Sequence, residues 1–336
     1  MYKAIIAGLG KYLPDNVVTN NDLKKVMDTS DEWIVERTGI QERRHIIKGS
    51  GDTTASMGAE AAKIALERAQ CAAEEVDLIL FATLSPDYYF PGSGVLVQEL
   101  LAIPDCPAMD IRNQCSGFVY ALATADQFVR TGMYKNVLVI GSENHSGGLD
   151  MSTRGRNVSV IFGDGAGAAL VTRYDGNDDR GILSSHLHSE GKHAEELSLI
   201  GPSTNRWVPQ IMEENDPEDT SYYPYMNGQF VFKNAVVRFS EVIKEGLLQN
   251  QLAAEDIKLL VPHQANLRIA QFVQKKFGLG EDQVYNNIQR YGNTTAASIP
   301  IALTEAWEEG RVKQGDLVVL AAFGSGFTWG SSIIRW

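Results

Sequence analysis

The chain has 336 residues, 44% of them hydrophobic and 21% charged, with 30 Lys and Arg against 42 Asp and Glu for a formal net charge of −12. This length buries a sizeable core and holds two domains or two related halves. An acidic surface excludes general phosphate-backbone binding, no run of about 18 apolar residues exists to span a bilayer, and three cysteines are too few for a disulfide framework.

The opening MYKAIIAGLGKYLP is too short in apolar residues for a secretory signal. The expectation is a cytoplasmic protein with reduced thiols, in which the sequons at Asn144, Asn157 and Asn293 are chance matches. Pro14 closes off GLGKYLP as a phosphate-binding turn and helix. GAEAAKIALERAQ (58–70) reads as an amphipathic helix, and AAEEVDLILF (72–81) then reads as a buried strand of a covered parallel sheet.

Cys71 follows a helix and Cys106 lies in an IPDCP turn, so both look inert. Cys115 differs. It precedes SGFVYALATADQFVRTG, where Phe118, Leu122, Ala125 and Val129 form one helical face and Gly132 marks the stop. A thiol at a helix N-terminus has its thiolate favoured and its pKa lowered. NVLVIGS (136–142) is a strand. FGDGAGAAL, from Phe162, fits GxGxxA, but the AALVTRY that follows is strand-like, which disfavours dinucleotide binding.

YDGNDDR (174–180) is a polar, turn-rich boundary, dividing the chain into 1–175 and 176–336. The second part repeats the first. VVRFSEVIKEGLLQNQ (236–251) is a helix, and AAEDIKLLVP (253–262) echoes 72–81 at an offset of 181 residues. Cys115 to Gly132 and Asn293 to Gly310 are both 17-residue intervals, each followed by a strand, the second being DLVVLAAF. Ser298 and Pro300 suit a helix start. Alternating strands and helices in two copies give an α/β sandwich of two mixed, mostly parallel sheets. A pseudo-twofold axis then pairs Cys115 with Asn293 and brings both near His263, at the C-terminal end of a strand in VPHQANLRI. Absence of GxxxxGK[ST], HExxH and GxSxG removes the common NTPase, metalloprotease and serine-hydrolase readings.

Cys115, His263 and Asn293, in this order on duplicated α/β halves, resemble the thiolase-fold condensing enzymes, and most closely the β-ketoacyl-acyl-carrier-protein synthase III family. TSDEWIVERTGI (29–40), CSGFVYAL (115–122), IFGDGAGAA (161–169), VPHQANLRI (261–269), GNTTAASIP (292–300) and FGSGFTWGS (323–331) match the family's blocks in order. The resemblance implies initiation of fatty acid synthesis by a homodimer: Cys115 takes an acyl group from acyl-CoA, malonyl-acyl-carrier protein loses CO2, and its carbanion attacks the acyl thioester. His263 and Asn293 would hold the enolate oxygen, with no metal or other cofactor.

By the same resemblance Trp33 stacks on the CoA adenine, with Arg37 and Arg156 near its phosphates and Arg154 a competing choice. Phe90 reaches across the homodimer to the partner's acyl pocket, Phe323 packs beside Cys115, and Ser325 contributes to the oxyanion hole with its side chain turned away. Gln264, Arg268, Lys233, Lys275 and Lys276 would meet the acidic carrier protein. The RNQ before Cys115 and Ser325 in place of a glycine depart from the family pattern. The stretch 201–227 is longer, more acidic and more aromatic than usual, a surface loop or a wall that changes the accepted acyl chain. A condensing enzyme of secondary metabolism with a longer primer, a type III polyketide synthase, a non-catalytic subunit of the same fold and a Cys–His–Asn thioester hydrolase remain as alternatives.

Overall fold

A computed structural model of the chain describes residues 1–203, 216 and 218–336. Of the long stretch 201–227, residues 204–215 and 217 thus lie outside the described residues. Its flanks are tied together by Gly201 N–H donating to the Ser221 carbonyl at 2.7 Å.

The first sheet uses strands from the first part of the chain: β1 (Lys3–Tyr12), β4 (Leu78–Ala82), β5 (Ala108–Ile111), β6 (Asn136–Glu143) and β7 (Gly165–Tyr174), with β2 (Val17–Thr19) and β3 (Glu42–Arg44) forming a separate small ribbon. Their order is β1-β7-β6-β4-β5. The second sheet takes β8 (Gly181–Ser189), β11 (Leu259–Pro262), β12 (Leu317–Gly324) and β13 (Thr328–Arg335) in the order β11-β12-β13-β8, while β9 (Leu197–Ser198) and β10 (Tyr225–Met226) pair apart from it. Both sheets are mixed. Pairing is parallel for β4 with β5 and β6 and for β11 with β12, and antiparallel for the remaining neighbours. The counterpart of β5 in the second sheet is reduced to a parallel bridge between Leu260 and Val284.

Helices fill three layers around the two sheets. Gly117–Thr131 and Ser298–Glu308 lie between the sheets, in one cluster joining Phe118, Leu122 and Val129 to Ile299, Leu303 and residues of both sheets. Thr54–Ala69 and Ser93–Leu100 cover the outer face of the first sheet, and Gly228–Gln249 and Leu267–Phe277 that of the second. Strands β6 and β12 are buried along their whole length, which is why they read as continuous apolar runs. The central layer sits very close. A Cβ at Gly141 would lie 2.4 Å from the Ala296 carbonyl oxygen, so only glycine admits that approach.

The duplication has a definite register. An offset of 181 residues relates Leu78 to Leu259, the turn Gln114–Ser116 to Thr295–Ala297, and the helix start Gly117 to Ser298. Gln114 and Thr295 both adopt the left-handed conformation, with φ of 44° and 47°. The mate of Cys115 is therefore Ala296, and the expected pairing of Cys115 with Asn293 is corrected. The slip arises because Gly132 lies 15 residues after the first helix start at Gly117 and Gly310 only 12 after the second at Ser298, so counting back from the glycines misplaces the starts by three.

Candidate active site

Cys115 occupies the 3-10 turn that leads into the helix Gly117–Thr131. It is buried beneath the end of β12, where a Cβ at Gly324 would lie 3.0 Å from its Sγ. The backbone N–H groups of Ser325 and of Cys115 itself hydrogen-bond the sulfur and favour its anionic form. They are outweighed. Burial, and then the charge of Glu143, push the thiol up to about 12, which corrects the lowered value expected from the helix N-terminus alone. The side chain of Ser325 donates to the Leu197 carbonyl, so it is turned aside while its N–H serves the sulfur.

His263 and Asn293 come from two segments that meet at Ser298. His263 follows β11, its N–H bound to the Ala321 carbonyl at 2.8 Å and its Nδ1 2.6 Å from Ser298 Oγ. The Gln264 N–H donates to that same hydroxyl oxygen at 3.4 Å, and in the tautomer in which the Ser298 O–H donates to Nδ1 the imidazole proton sits on Nε2. Nε2 is buried without a hydrogen-bond partner among the described residues. Burial pushes the imidazole down to about 3, so the ring is a neutral donor across the physiological range. Asn293 pairs with Phe162 by a parallel bridge, and its Oδ1 accepts from Thr295 N–H at 2.8 Å. The end of the carboxamide left for a ligand is Nδ2. The segment 293–298, which begins at Asn293 and holds His263 through Ser298, packs against the Cys115 segment, since a Cβ at Gly117 would meet Ala296 Cβ at 3.5 Å.

Three residues of this neighbourhood escaped the sequence reading: Gly324, Glu143 and His145. Glu143, fully buried at the end of β6, accepts from Ser85 Oγ at 2.6 Å, Thr83 Oγ1 at 3.1 Å and the Leu84 and Ser85 N–H groups at 3.2 Å, with Ala296 N–H at 3.5 Å. Burial nonetheless raises its carboxyl to about 7. The signal in the sequence is an acid closing the apolar run NVLVIGSE.

The more distant expectations separate. Arg37 and Arg156 place their guanidinium carbons 4.3 and 5.3 Å from the Trp33 ring centroid. Arg154 is elsewhere, bound through Nε to Asp150 at 2.6 Å. Asn266 Nδ2 donates to the Arg37 carbonyl at 2.9 Å and so joins the Trp33 region to the helix Leu267–Phe277. On that helix and its packed neighbour, Arg268, Lys275, Lys276 and Lys233 are exposed. Gln264 is not with them. It is 3% exposed, donates to the Pro262 and Tyr285 carbonyls and accepts from the Asn287 and Ile288 N–H groups, so its assignment to the carrier surface is corrected to a structural one. Phe323 is buried with its ring centroid 4.8 Å from that of Phe327, and Phe90 is 82% exposed beside exposed Tyr88 and Tyr89. A surface cleft bordered by Trp307, Arg335 and Trp336 includes none of the candidate residues. Among the described residues no group of His, Cys, Asp and Glu is placed to hold a metal ion, and no helix is long and apolar enough to cross a membrane.

Comparison with known proteins gives one pattern. Residues 109–191 match the family described as 3-oxoacyl-[acyl-carrier-protein] synthase III, and residues 247–336 match its C-terminal counterpart. The chain is 47% identical to the β-ketoacyl-[acyl-carrier-protein] synthase III of Rhodospirillum centenum over 99% of each chain, and 45% identical to that of Aliivibrio fischeri over 100% of each. The crystal structure of 3-oxoacyl-[acyl-carrier-protein] synthase III from Aquifex aeolicus is similar at a TM-score of 0.90 and 44% identity, covering 99% of this chain and 100% of that one.

Proposed function

The chain belongs to the β-ketoacyl-acyl-carrier-protein synthase III family, and we propose that it condenses an acyl-CoA primer with malonyl-acyl-carrier protein through an acyl-Cys115 intermediate. One observation carries the assignment of roles: the buried, unpartnered Nε2 of His263, a ring held through Ser298, and the Asn293 carboxamide belong to the two ends of the segment 293–298, which packs on the Cys115 segment.

In the first half-reaction the Cys115 sulfur attacks the thioester carbonyl of acyl-CoA. The S–C bond to Cys115 forms, the bond to CoA breaks, and the thiol proton leaves with CoA as its free thiol. Burial keeps the Cys115 thiol protonated near neutral pH, so it gives up its proton as the sulfur attacks, and the Ser325 and Cys115 N–H groups stabilise the negative charge that develops on it. In the second, CO2 leaves the malonyl group and its electron pair enters the thioester enolate. His263 Nε2–H and Asn293 Nδ2–H donate to that oxygen, an arrangement in which each donor is worth about 2.7–4 kcal/mol. The carbanion then attacks the acyl carbonyl, the new C–C bond forms, and the Cys115 thiolate departs and takes a proton from water.

Trp33, Arg37 and Arg156 supply a flat aromatic face and two cations for the adenine and phosphates of CoA. Arg268, Lys233, Lys275 and Lys276 offer the local positive face that an acidic carrier protein needs on a chain of net charge −12. The exposed Phe90 fits a homodimer in which it reaches the partner's pocket. The halves 1–175 and 176–336 act as one catalytic unit, and a mechanism that needs a reduced Cys115 suits the cytoplasm.

Incubation with acyl-CoAs from acetyl to dodecanoyl, followed by intact mass measurement, tests this. An adduct confined to Cys115, discharged only when malonyl-acyl-carrier protein is added, is expected. Release of free acid without a malonyl donor would convert the reading to a hydrolase.

A further inference from the structure

His145 lies just beyond β6 and touches the support of Asn293 in two places. Its Nε2 is hydrogen-bonded to Thr295 Oγ1, and Thr295 N–H is the donor that fixes Asn293 Oδ1. Its ring packs on Phe162 at 4.7 Å between centroids, and Phe162 is the residue that bridges to Asn293. His145 is itself anchored, since its N–H donates to Asp164 Oδ1 at 2.7 Å. Thr295 needs such a hold, because a β-branched residue at φ 47° sits in a conformation that costs on the order of 1–3 kcal/mol.

Resting on the assignment of Asn293 as an enolate donor, we infer that His145 is a positioning residue for the decarboxylation half-reaction, aiming the Asn293 carboxamide through the Thr295 hydroxyl on one side and the Phe162 ring on the other. Its hydrogen bonds run to Thr295, Asp164 and Gly148, and none joins it to Cys115 or Ser325, so its influence is expected on the Asn293 side and not on acyl transfer to Cys115. Burial holds the imidazole neutral, which keeps this contact a hydrogen bond between uncharged partners.

The experiment separates the half-reactions: acylation of Cys115 by acyl-CoA, followed by intact mass, and release of radiolabelled CO2 from malonyl-acyl-carrier protein. His145→Phe keeps a ring against Phe162 but loses the hydrogen bond. It is expected to slow CO2 release about tenfold while acylation stays within about twofold. His145→Gln, which returns a polar group near the Nε2 position, is expected to recover most of that loss. Equal slowing of both half-reactions, or of neither, overturns the inference. Should His145→Phe not fold, Thr295→Val removes the same hydrogen bond from the other side and must show the same split. Asn293→Ala is the control. If it releases CO2 at the wild-type rate, the underlying site reading fails; if it loses CO2 release and His145→Phe does not, this inference alone fails.

Discussion

Gly324 stands directly against Cys115: a Cβ on residue 324 would lie 2.6 Å from the Cys115 Cβ and 3.0 Å from its Sγ. Real carbon atoms do not approach so closely, and both residues are buried, so neither has room to yield. Gly324→Ala is expected to cost about 1–3 kcal/mol of stability through overpacking. It should also displace the sulfur from the Ser325 N–H and slow acylation of Cys115 at least tenfold, roughly what a lost hydrogen bond implies. Thermal unfolding and the time course of adduct mass check the two effects.

The thiol of Cys115, pushed up to about 12 by burial and by Glu143, predicts an unusual alkylation profile. Below that value the thiolate fraction falls tenfold for each unit of pH, so the rate of modification by iodoacetamide should still be climbing at about pH 9, with no plateau near neutrality. Glu143→Gln removes the negative charge and should shift the profile to lower pH. A plateau near pH 7 in the wild-type protein would contradict this balance of burial over the helix terminus.

His263→Ala should cut CO2 release about 100- to 1,000-fold while leaving Cys115 open to acylation. The residue also ties stability to pH. Its folded value of about 3 lies below the 6.5 of a free imidazole, so the unfolded chain binds the extra proton and stability declines as pH falls from about 6.5 toward 3. At about pH 5 the penalty is roughly 2 kcal/mol. Glu143, raised to about 7, runs the opposite way, losing stability as pH rises from about 4.5 toward 7. The difference between wild type and His263→Asn across this window, read from denaturant melts, isolates the histidine.

Arg156 and Arg154 should separate in a simple kinetic comparison. Arg156 faces Trp33, whereas Arg154 is bound to Asp150, with a second acidic contact to Glu218 at 3.5 Å. Arg156→Ala is expected to raise the KM for acyl-CoA about fivefold or more, the loss of a charge-assisted contact. Arg154→Ala should leave it nearly unchanged. The reverse order would move the CoA phosphates to the other side of the Trp33 region.

Serine at position 325 should prove tolerable because only its backbone is directed at the sulfur. Ser325→Gly keeps that N–H and loses the bond to the Leu197 carbonyl. Activity within about twofold of wild type is expected, with a stability loss of about 1 kcal/mol.

What the sequence revealed and what it concealed follow from the range of each interaction. Strands such as β4, β6, β11 and β12 were legible because burial on both faces writes an unbroken apolar run. By contrast β8, ending in SSHLHS, is only half-buried at a sheet edge and carries no such signature. Gln264 is assigned to the carrier surface by resemblance, and a polar residue in VPHQANLRI carries no local sign of burial. Only the fold shows that two N–H groups from 287 and 288 require its carboxamide oxygen. The direction of the Cys115 shift was misread for the same reason. A helix terminus is visible in the local sequence, but Glu143 is brought to the sulfur from 28 positions away by sheet pairing.

The 181-residue register has a consequence for stoichiometry. At the place related to the sulfur by the internal symmetry, the chain carries the methyl group of Ala296, on a turn bent in the same left-handed way. A molecule built from two look-alike lobes therefore has a single anchoring point, and saturation with primer should stop at one acyl group per polypeptide.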